Sequence, residues 1–489
     1  MRKFLMVVAV GALALLMAAP AMAVDFKFGA EYRVRFYDYA NVGFDNQAGT
    51  NPRGVQLRVR PIFDASDDNG NITARLRLEY GDTEFGGGGG ANGVANGRFS
   101  NGQGSSFTLA PTNARVGNGA GGSIGNDGVA LEVKSAYLDF ALPFGVPLRV
   151  RSGIQPWYLP KGLIIDDDVI GVRAYGTVAP VSYEVAWYRA SRENTGGTAG
   201  FTKDNALDFY QAKVDFAVAK VFNPYLYYIY GDNRANCVGQ APGGTFLVNC
   251  GPDQDRVRPQ NWFGIGFTGD FGFLTYDLDW VWGSAKGGPN GALTSDGTAT
   301  GEPVKVKGWA IDGGVHIPIG PVKLNLVGSY ATGDDSDDAN KSGAFPGGIG
   351  PSWSGPSQVA GGPYELIGAA GAFDVIDAGQ DSPTNLWTLG LSVEYLPVKP
   401  LTLRLHYLYA GFSEKTGNCA NGAPGGVRPG CFGPVYQKLV NKSSLGSEIG
   451  LRADYQVWTG FKLQGFAGWL IPSEGDTMGK YILQMLYSF

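Results

Sequence analysis

The residues on which most enzymes and metalloproteins depend are scarce in this chain. It has only two histidines, His316 and His406, and four cysteines among 489 residues. A hydrolytic site needs a nucleophile beside an oriented base, and two isolated histidines offer little from which to build one. The chain also lacks a C-x-x-C-H sequence for covalent haem attachment. The composition therefore predicts a protein that is not an enzyme and that binds no cofactor.

Long apolar runs are also absent once the N-terminus is set aside. No later stretch holds eighteen consecutive apolar residues, so no helical membrane span is predicted. The first residues carry Arg2 and Lys3, then an apolar run, then the small-residue site Ala21-Met22-Ala23. This order is typical of a secretory signal peptide. We expect cleavage after Ala23, which leaves residues 24–489 as one exported domain.

Charge is low as well. Only 17% of the residues are charged, the formal net charge is −5 and the mean hydropathy is −0.08, while 12% are aromatic and 76 are glycine. A soluble chain of this length would be expected to divide into several more highly charged domains. A closed barrel has strands that are apolar on one face only, so its hydropathy averages close to neutral. We expect a single barrel domain and no nucleic-acid partner.

The first segment of the exported chain alternates in character at every residue. Its apolar positions are Phe26, Phe28, Ala30, Tyr32, Val34 and Phe36, and the positions between them are Lys27, Gly29, Glu31, Arg33 and Arg35. Only a β-strand, whose side chains repeat every two residues, puts these sets on opposite faces. Seventeen similar runs follow, at 54–65, 71–81, 129–141, 146–156, 168–178, 180–190, 206–218, 223–231, 260–269, 272–283, 304–316, 321–332, 384–396, 400–412, 445–457, 459–470 and 478–489.

The connections between these runs alternate between short and long. The short ones are built from turn-forming residues, at 67–70, 142–145, 179–180, 223–224, 269–272, 318–321, 396–400 and 459–460. Short periplasmic turns and long external loops are typical of the outer membrane. The sequence therefore predicts an all-β protein, a transmembrane antiparallel up-and-down β-barrel of about 18 strands. The last strand ends in Phe489 and resembles the signature read by the outer-membrane insertion machinery, which we expect as a partner together with outer-membrane lipid.

If the apolar face of each strand meets lipid, the other face lines the lumen. On the first six strands that face carries nine arginines against the acids Glu31, Glu79 and Asp139. The nine are Arg33, Arg35, Arg58, Arg60, Arg75, Arg77, Arg149, Arg151 and Arg173. Guanidinium groups stay charged and bind carboxylate or phosphate through paired donors, so this wall predicts passage of anions. The alternative is that these arginines pair with acids across the lumen and only brace the barrel.

The opposite wall is predicted to be mixed in charge. Its basic residues are Lys213, Arg404, Arg452 and Lys462, and its acids are Asp215, Asp277, Asp279, Asp312, Glu394, Glu448 and Asp454. A transverse field across the lumen follows, because the two charge sets lie on different strands. We count Arg404 and Arg452 among the candidate solute contacts.

The four cysteines form two local pairs, Cys237 with Cys250 and Cys419 with Cys431. In an exported chain they predict two loop disulfides, since neither pair has the spacing or the nearby histidine of a zinc site.

Two long loops, 82–128 and 333–383, could each narrow the pore by folding into its mouth. The second opens with the acidic residues Asp334, Asp335, Asp337 and Asp338. They are a weak Ca²⁺ candidate, because the spacing and bidentate Glu of an EF-hand loop are missing, and a solvated acidic loop is favoured over metal binding.

Several stretches resemble one known family. They are Ala136-Tyr137-Leu138-Asp139-Phe140, the run from Leu148 to Gln155, and the run from Ser329 to Asp335. With the strand count and the arginine-lined lumen, they are similar to the bacterial alginate export family of outer-membrane porins. The resemblance implies passage of an anionic polysaccharide or small anions down a basic lumen.

Two other functions fit a barrel of this kind. One is the sheath of an outer-membrane electron-transfer complex, in which the barrel surrounds a cytochrome. The other is a general diffusion porin whose loops serve in surface adhesion.

Overall fold

The computed structural model describes residues 24–41, 53–85, 131–143, 145–192, 206–233, 258–289, 303–333, 341–346, 384–415 and 442–489. The predicted signal peptide, the four cysteines and the acidic cluster 334–338 lie outside these ranges.

The described residues form long strands connected in the order of the sequence. The strands are β1 (Val24–Ala40), β2 (Arg53–Asp67), β3 (Ile72–Glu84), β4 (Leu131–Ala141), β5 (Arg149–Tyr158), β6 (Asp166–Val178), β7 (Val181–Arg192), β8 (Ala206–Phe216), β9 (Asn223–Asn233), β10 (Arg258–Asp270), β11 (Thr275–Pro289), β12 (Pro303–Ile319), β13 (Val322–Ala331), β14 (Lys341–Ser342), β15 (Leu386–Val398), β16 (Leu401–Phe412), β17 (Ser444–Trp458), β18 (Phe461–Pro472) and β19 (Met478–Ser488). A single 3₁₀ turn, Pro160–Gly162, lies between β5 and β6. Among the described residues, no helix is long and apolar enough to cross a membrane.

These strands close into a barrel. Each long strand pairs antiparallel with its neighbour in the chain, and β13 pairs directly with β15. The circle is closed by β1 and β19, in register from Glu31 opposite Ser488 to Ala40 opposite Gly479. The two-residue β14 lies outside the circle of eighteen and runs parallel to β12. The predicted antiparallel barrel of 18 strands is confirmed.

The short connections all lie at one end of the barrel, with both described chain ends beside them. One turn lies wholly outside its predicted residues. The β8–β9 connection is residues 217–222, where Ala219 and Phe222 exchange two backbone hydrogen bonds. Asn223 and Pro224, predicted as the turn, therefore begin β9.

Side-chain exposure separates the two faces of the sheet. Outward positions are apolar and open, as at Phe28 (59% exposed) and Leu405 (54%), whereas inward Arg35 is only 4% exposed. Inward aromatic and aliphatic residues gather toward the long-loop end, where Tyr188 and Trp262 belong to one buried cluster. The barrel interior is thus filled near one mouth and polar toward the other.

Candidate functional site

The nine arginines of the first six strands lie at inward positions, and strand register brings them together. Arg33 lies opposite Arg58, and Arg151 lies opposite Arg173. Arg33 and Arg35 are buried, whereas the side chains of the other seven keep between 19% and 43% of their exposure. Those seven line the interior with guanidinium groups that solvent reaches.

The carboxylates of Glu31 and Glu79 are shared by three arginines of β2 and β3, namely Arg58, Arg60 and Arg77. Arg77 NH2 lies 2.9 Å and Arg60 NH1 3.7 Å from Glu31 Oε2. Arg60 also contacts Glu79, whose Oε2 lies 3.9 Å from Arg58 Nε. Cross-strand ion pairs of this kind tie neighbouring strands together as well as lining the lumen.

Asp139 on β4 holds a second cluster. Its Oδ1 accepts from Arg149 Nε at 2.7 Å, and its Oδ2 accepts from Arg151 Nε at 2.8 Å and from the Tyr175 hydroxyl at 2.5 Å. The guanidinium of Arg151 also lies 4.2 Å from the ring centroid of Tyr137. One carboxylate, itself 1% exposed, therefore orients two arginines along the wall.

Two further acids face these arginines and were missed in the sequence reading. Asp64 accepts from Arg75 Nε at 2.6 Å and NH2 at 2.8 Å, and Glu184 Oε2 lies 3.3 Å from Arg173 NH1. The alternation of β2 already assigns Asp64 to the inward face, and Glu184 lies on the seventh strand. In these contacts, seven of the nine arginines share five carboxylates, so the guanidinium groups outnumber the acids that they contact.

Arg404 and Arg452 lie inward on β16 and β17, separated from β1 by β18 and β19. Arg404 NH2 lies 3.3 Å from Glu394 Oε2, and Arg452 Nε lies 2.9 Å from Asp454 Oδ2. Each of these arginines thus has an acid within reach, so this part of the wall carries less net charge than the β1–β6 wall.

The lumen is crossed by residues 159–165, which we call the strap. Leu159, Leu163, Ile164 and Ile165 have no exposed surface. The strap turns back on itself, because Leu159 N–H donates to Ile165 O at 3.1 Å. At its root, the Trp157 ring stacks on Tyr188 with centroids 4.5 Å apart. The prediction that one of the loops 82–128 and 333–383 narrows the mouth thus overlooked this shorter loop.

The tip of the strap is Lys161, whose side chain reaches β11 and β12 past the intervening strands β7 to β10. Its Nζ lies 2.5 Å from Asp277 Oδ2, 3.1 Å from Asp279 Oδ2 and 3.1 Å from Asp312 Oδ1, and it donates to the Asp312 carbonyl at 2.7 Å. Lys161 has no exposed surface. Burial lowers the pKa of Lys161, but the three carboxylates outweigh it and hold the pKa above its usual range.

Lys161 was not singled out in the sequence reading. Its only local signal is the Pro160-Lys161-Gly162 tripeptide, and Lys161 adopts a left-handed φ of 62° that is uncommon for a residue other than glycine. The acids that bind it lie more than a hundred residues further along the chain.

A second segment enters the mouth, residues 341–346 of the predicted loop 333–383. Ser342 pairs with Val306 on β12, and Phe345 is fully buried. Trp262 Nε1 donates to the Pro346 carbonyl at 3.1 Å. A Cβ built on inward Gly308 would collide with the backbone of this segment, so glycine is needed there for the close approach. The described part of this loop therefore does narrow the mouth.

Both histidines lie inside the barrel wall rather than at its rim. His316 Nε2 lies 2.8 Å from Asp277 Oδ1, and its Nδ1 lies 2.9 Å from Asn325 Oδ1. His406 Nε2 lies 2.8 Å from Glu448 Oε1. Both take part in buried polar contacts. No cluster suited to a metal ion is found within the described ranges.

No protein-family model matches the sequence, and no curated protein matches it. Solved structures do match. OccK8 (OprE) of Pseudomonas aeruginosa is 11% identical over 95% of this chain and 98% of that chain, with a TM-score of 0.49. OccAB4 of Acinetobacter baumannii is 10% identical over 96% and 99%, also at 0.49. A BenF-like porin from Pseudomonas fluorescens Pf-5 is 12% identical over 95% and 98%, again at 0.49. Similarity this distant leaves the barrel to be established by the strand pairing described above.

Proposed function

We propose that the protein is an outer-membrane pore that passes small anionic solutes along the arginine wall of β1 to β6. The outward apolar face suits lipid, and a closed sheet leaves no unpaired edge in a bilayer. The observation that carries the proposal is that seven inward, partly exposed arginines share five carboxylates along this wall.

The ion pairs do not remove the attraction for anions. Five carboxylates cannot neutralise the seven guanidinium groups that share them, and the side chains of these seven arginines remain partly exposed to the lumen. A guanidinium already oriented by a carboxylate has N–H donors left over for a solute. Bracing and anion passage are therefore compatible roles for the same residues.

The strap and residues 341–346 limit the size of the solute. Both segments take up lumen space near the long-loop end, where Ile164 and Phe345 are fully buried. Small carboxylates fit this arrangement better than a polysaccharide such as alginate. The same filling disfavours a sheath around a cytochrome, which would need the lumen for its partner.

The test is the reversal potential of single channels in a planar bilayer under a salt gradient. We expect an anion-selective wild-type pore. Replacing Arg58, Arg60, Arg75 and Arg77 with Gln removes four positive charges and leaves Glu31, Asp64 and Glu79 uncompensated. The selectivity should then move toward cations. The change should be clearest at low salt, because the Debye length is longer there and the wall charges act further into the pore.

Single substitutions provide the matched control, since each removes one positive charge. Arg58→Gln should shift the reversal potential, whereas Lys399→Gln, in the exposed turn after β15, should leave it near the wild-type value. Addition of a soluble polyuronate on either side tests the polymer. A cation-selective wild-type pore would overturn the proposal, and passage rather than block by polyuronate would favour an alginate-like substrate.

A further inference from the structure

The contact of Lys161 with β11 and β12 lies outside the arginine wall of β1 to β6. Asp279 and Asp312 are direct partners in the register of these strands, and Asp277 lies two positions from Asp279 on the same face. Like charges directly opposite each other destabilise a sheet, and burial makes their repulsion stronger. Three buried carboxylates at this place require a cation.

Lys161 supplies that cation, and its position is fixed by the strap that carries it and by the oxygens of the barrel wall that surround its ammonium group. The ammonium lies among four oxygens, at 2.5 to 3.1 Å. The second oxygen of Asp277 is held by His316, and that of Asp279 accepts a hydrogen bond from the Tyr225 hydroxyl. The cage is therefore oriented by residues of the barrel wall, and the strap carries the ion that fills it.

The strap holds this position although its backbone does not favour it. Lys161 has a φ of 62° and a ψ of 6°, and such a conformation persists in a residue other than glycine only where its surroundings impose it. The Lys161 N–H donates to the Tyr158 hydroxyl at 3.0 Å, which fixes the root of the turn. The ammonium at the other end fixes the tip.

We propose that Lys161 is a specificity-determining residue of the pore: a tethered counter-ion that offsets part of the negative charge of the Asp277, Asp279 and Asp312 carboxylates and pins the strap across the lumen. The inference rests on the proposed pore function. Without the ammonium, three carboxylates would face the permeation path opposite the arginine wall, and the strap would lose its distal attachment. Anion preference and narrow bore would thus depend on one side chain.

The first experiment is Lys161→Met, which keeps an unbranched side chain one atom shorter and removes its charge. A unit charge changes the probability of finding an ion about 10 Å away by roughly twofold in water, in opposite directions for cations and anions. We expect the cation-to-anion permeability ratio to rise about fourfold at low salt, with a larger conductance from the loosened strap. The matched control is Lys442→Met, which removes an exposed lysine paired with Glu474 at the loop end.

A second variant separates charge from strap position. In Lys161→Met with Asp312→Asn, which restores the wild-type net charge of the cluster, the selectivity should return toward wild type while the conductance stays high. Asp279→Asn with Asp312→Asn alone keeps the lysine and weakens its cage, so it tests the strap even if Lys161→Met fails to assemble.

The strap can also be followed without any measurement of selectivity. Acetylation of the assembled wild-type protein, read by mass spectrometry, should modify Lys27 and Lys220, whose side chains are 75% and 70% exposed, and spare Lys161. The double Asn variant should make Lys161 reactive. Rapid acetylation of Lys161 in the wild type, or a Lys161→Met pore with wild-type conductance and selectivity, would overturn the inference. A cation-selective wild-type pore would instead count against the anion proposal. The changes in conductance and in Lys161 acetylation between the wild type and the variants would still test the inference about the strap.

Discussion

Asp139 offers a single substitution that measures bracing and anion attraction at once. Its carboxylate accepts hydrogen bonds from Arg149 and Arg151 at 2.7 and 2.8 Å and from Tyr175. Asp139→Asn preserves the shape, removes one negative charge and turns an NH2 group toward one of the two guanidinium groups, while its remaining oxygen can still accept from the other. If the arginines brace the barrel, stability should fall; if they attract anions, anion preference should rise.

Both magnitudes follow from the structure. A hydrogen bond to a charged group contributes about 1.5–3 kcal/mol, and the lower figure suits arginines whose side chains are 30% and 20% exposed. Loss of one arginine bond and weakening of the other should cost about 2 kcal/mol, which corresponds to a fall of roughly 2 °C in the temperature at which the barrel unfolds. Removing the charge should raise the anion-to-cation permeability ratio about fourfold at low salt.

The stability assay is the temperature at which the fast-migrating band of the unheated protein converts to the slow band in detergent gels. The control is Asp270→Asn at the end of β10, where the pair with Lys220 is largely exposed and is screened by solvent. A fall in stability with unchanged selectivity would show that these arginines only brace the wall. If Asp139→Asn matched the control in both assays, the reasoning about this cluster would be refuted.

Three further outcomes are expected. Deletion of Phe489 should reduce the yield of assembled barrel more than the conductance of the channels that do form, because its backbone exchanges two hydrogen bonds of 3.2 Å with Ala30 next to the closing strand; the ratio of heat-modifiable to total protein measures this. Gly308→Val should raise conductance, since its side chain would displace the segment around Phe345, whereas Gly320→Ala in an open turn should leave conductance unchanged. Reductant should leave the heat-modifiable band intact, because the four cysteines lie between predicted strands. Loss of that band would show that the predicted position of the cysteines outside the strands is wrong.

The strands and their facing follow from the sequence with little ambiguity. A period of two has no other structural explanation over a dozen residues, so the alternation from Phe26 to Phe36 determines both the strand and its two faces. Closure follows from the even number of such strands and from the alternation of short and long connections. Bounds shifted only locally, as at Asn223, where a backbone turn just before it takes the role predicted for the Asn-Pro pair.

The inward position of each arginine is likewise a property of the alternation, whereas its ion-pair partner is a property of register. Asp139 could be placed on the lumen face from its own strand, but its contacts with Arg149 and Arg151 depend on how β4 slides against β5. The sequence by itself therefore predicts a basic wall and overestimates its free charge.

The tertiary structure alone decided what crosses the lumen. The sequence around Lys161 does not predict its contact with Asp277, Asp279 and Asp312. That contact requires closure of the barrel and inward folding of a loop that lacks periodicity. Periodicity reports the neighbours of a residue on its own strand. The contact between a loop and the opposite wall depends on the curvature of the whole sheet, which is set by all eighteen strands together.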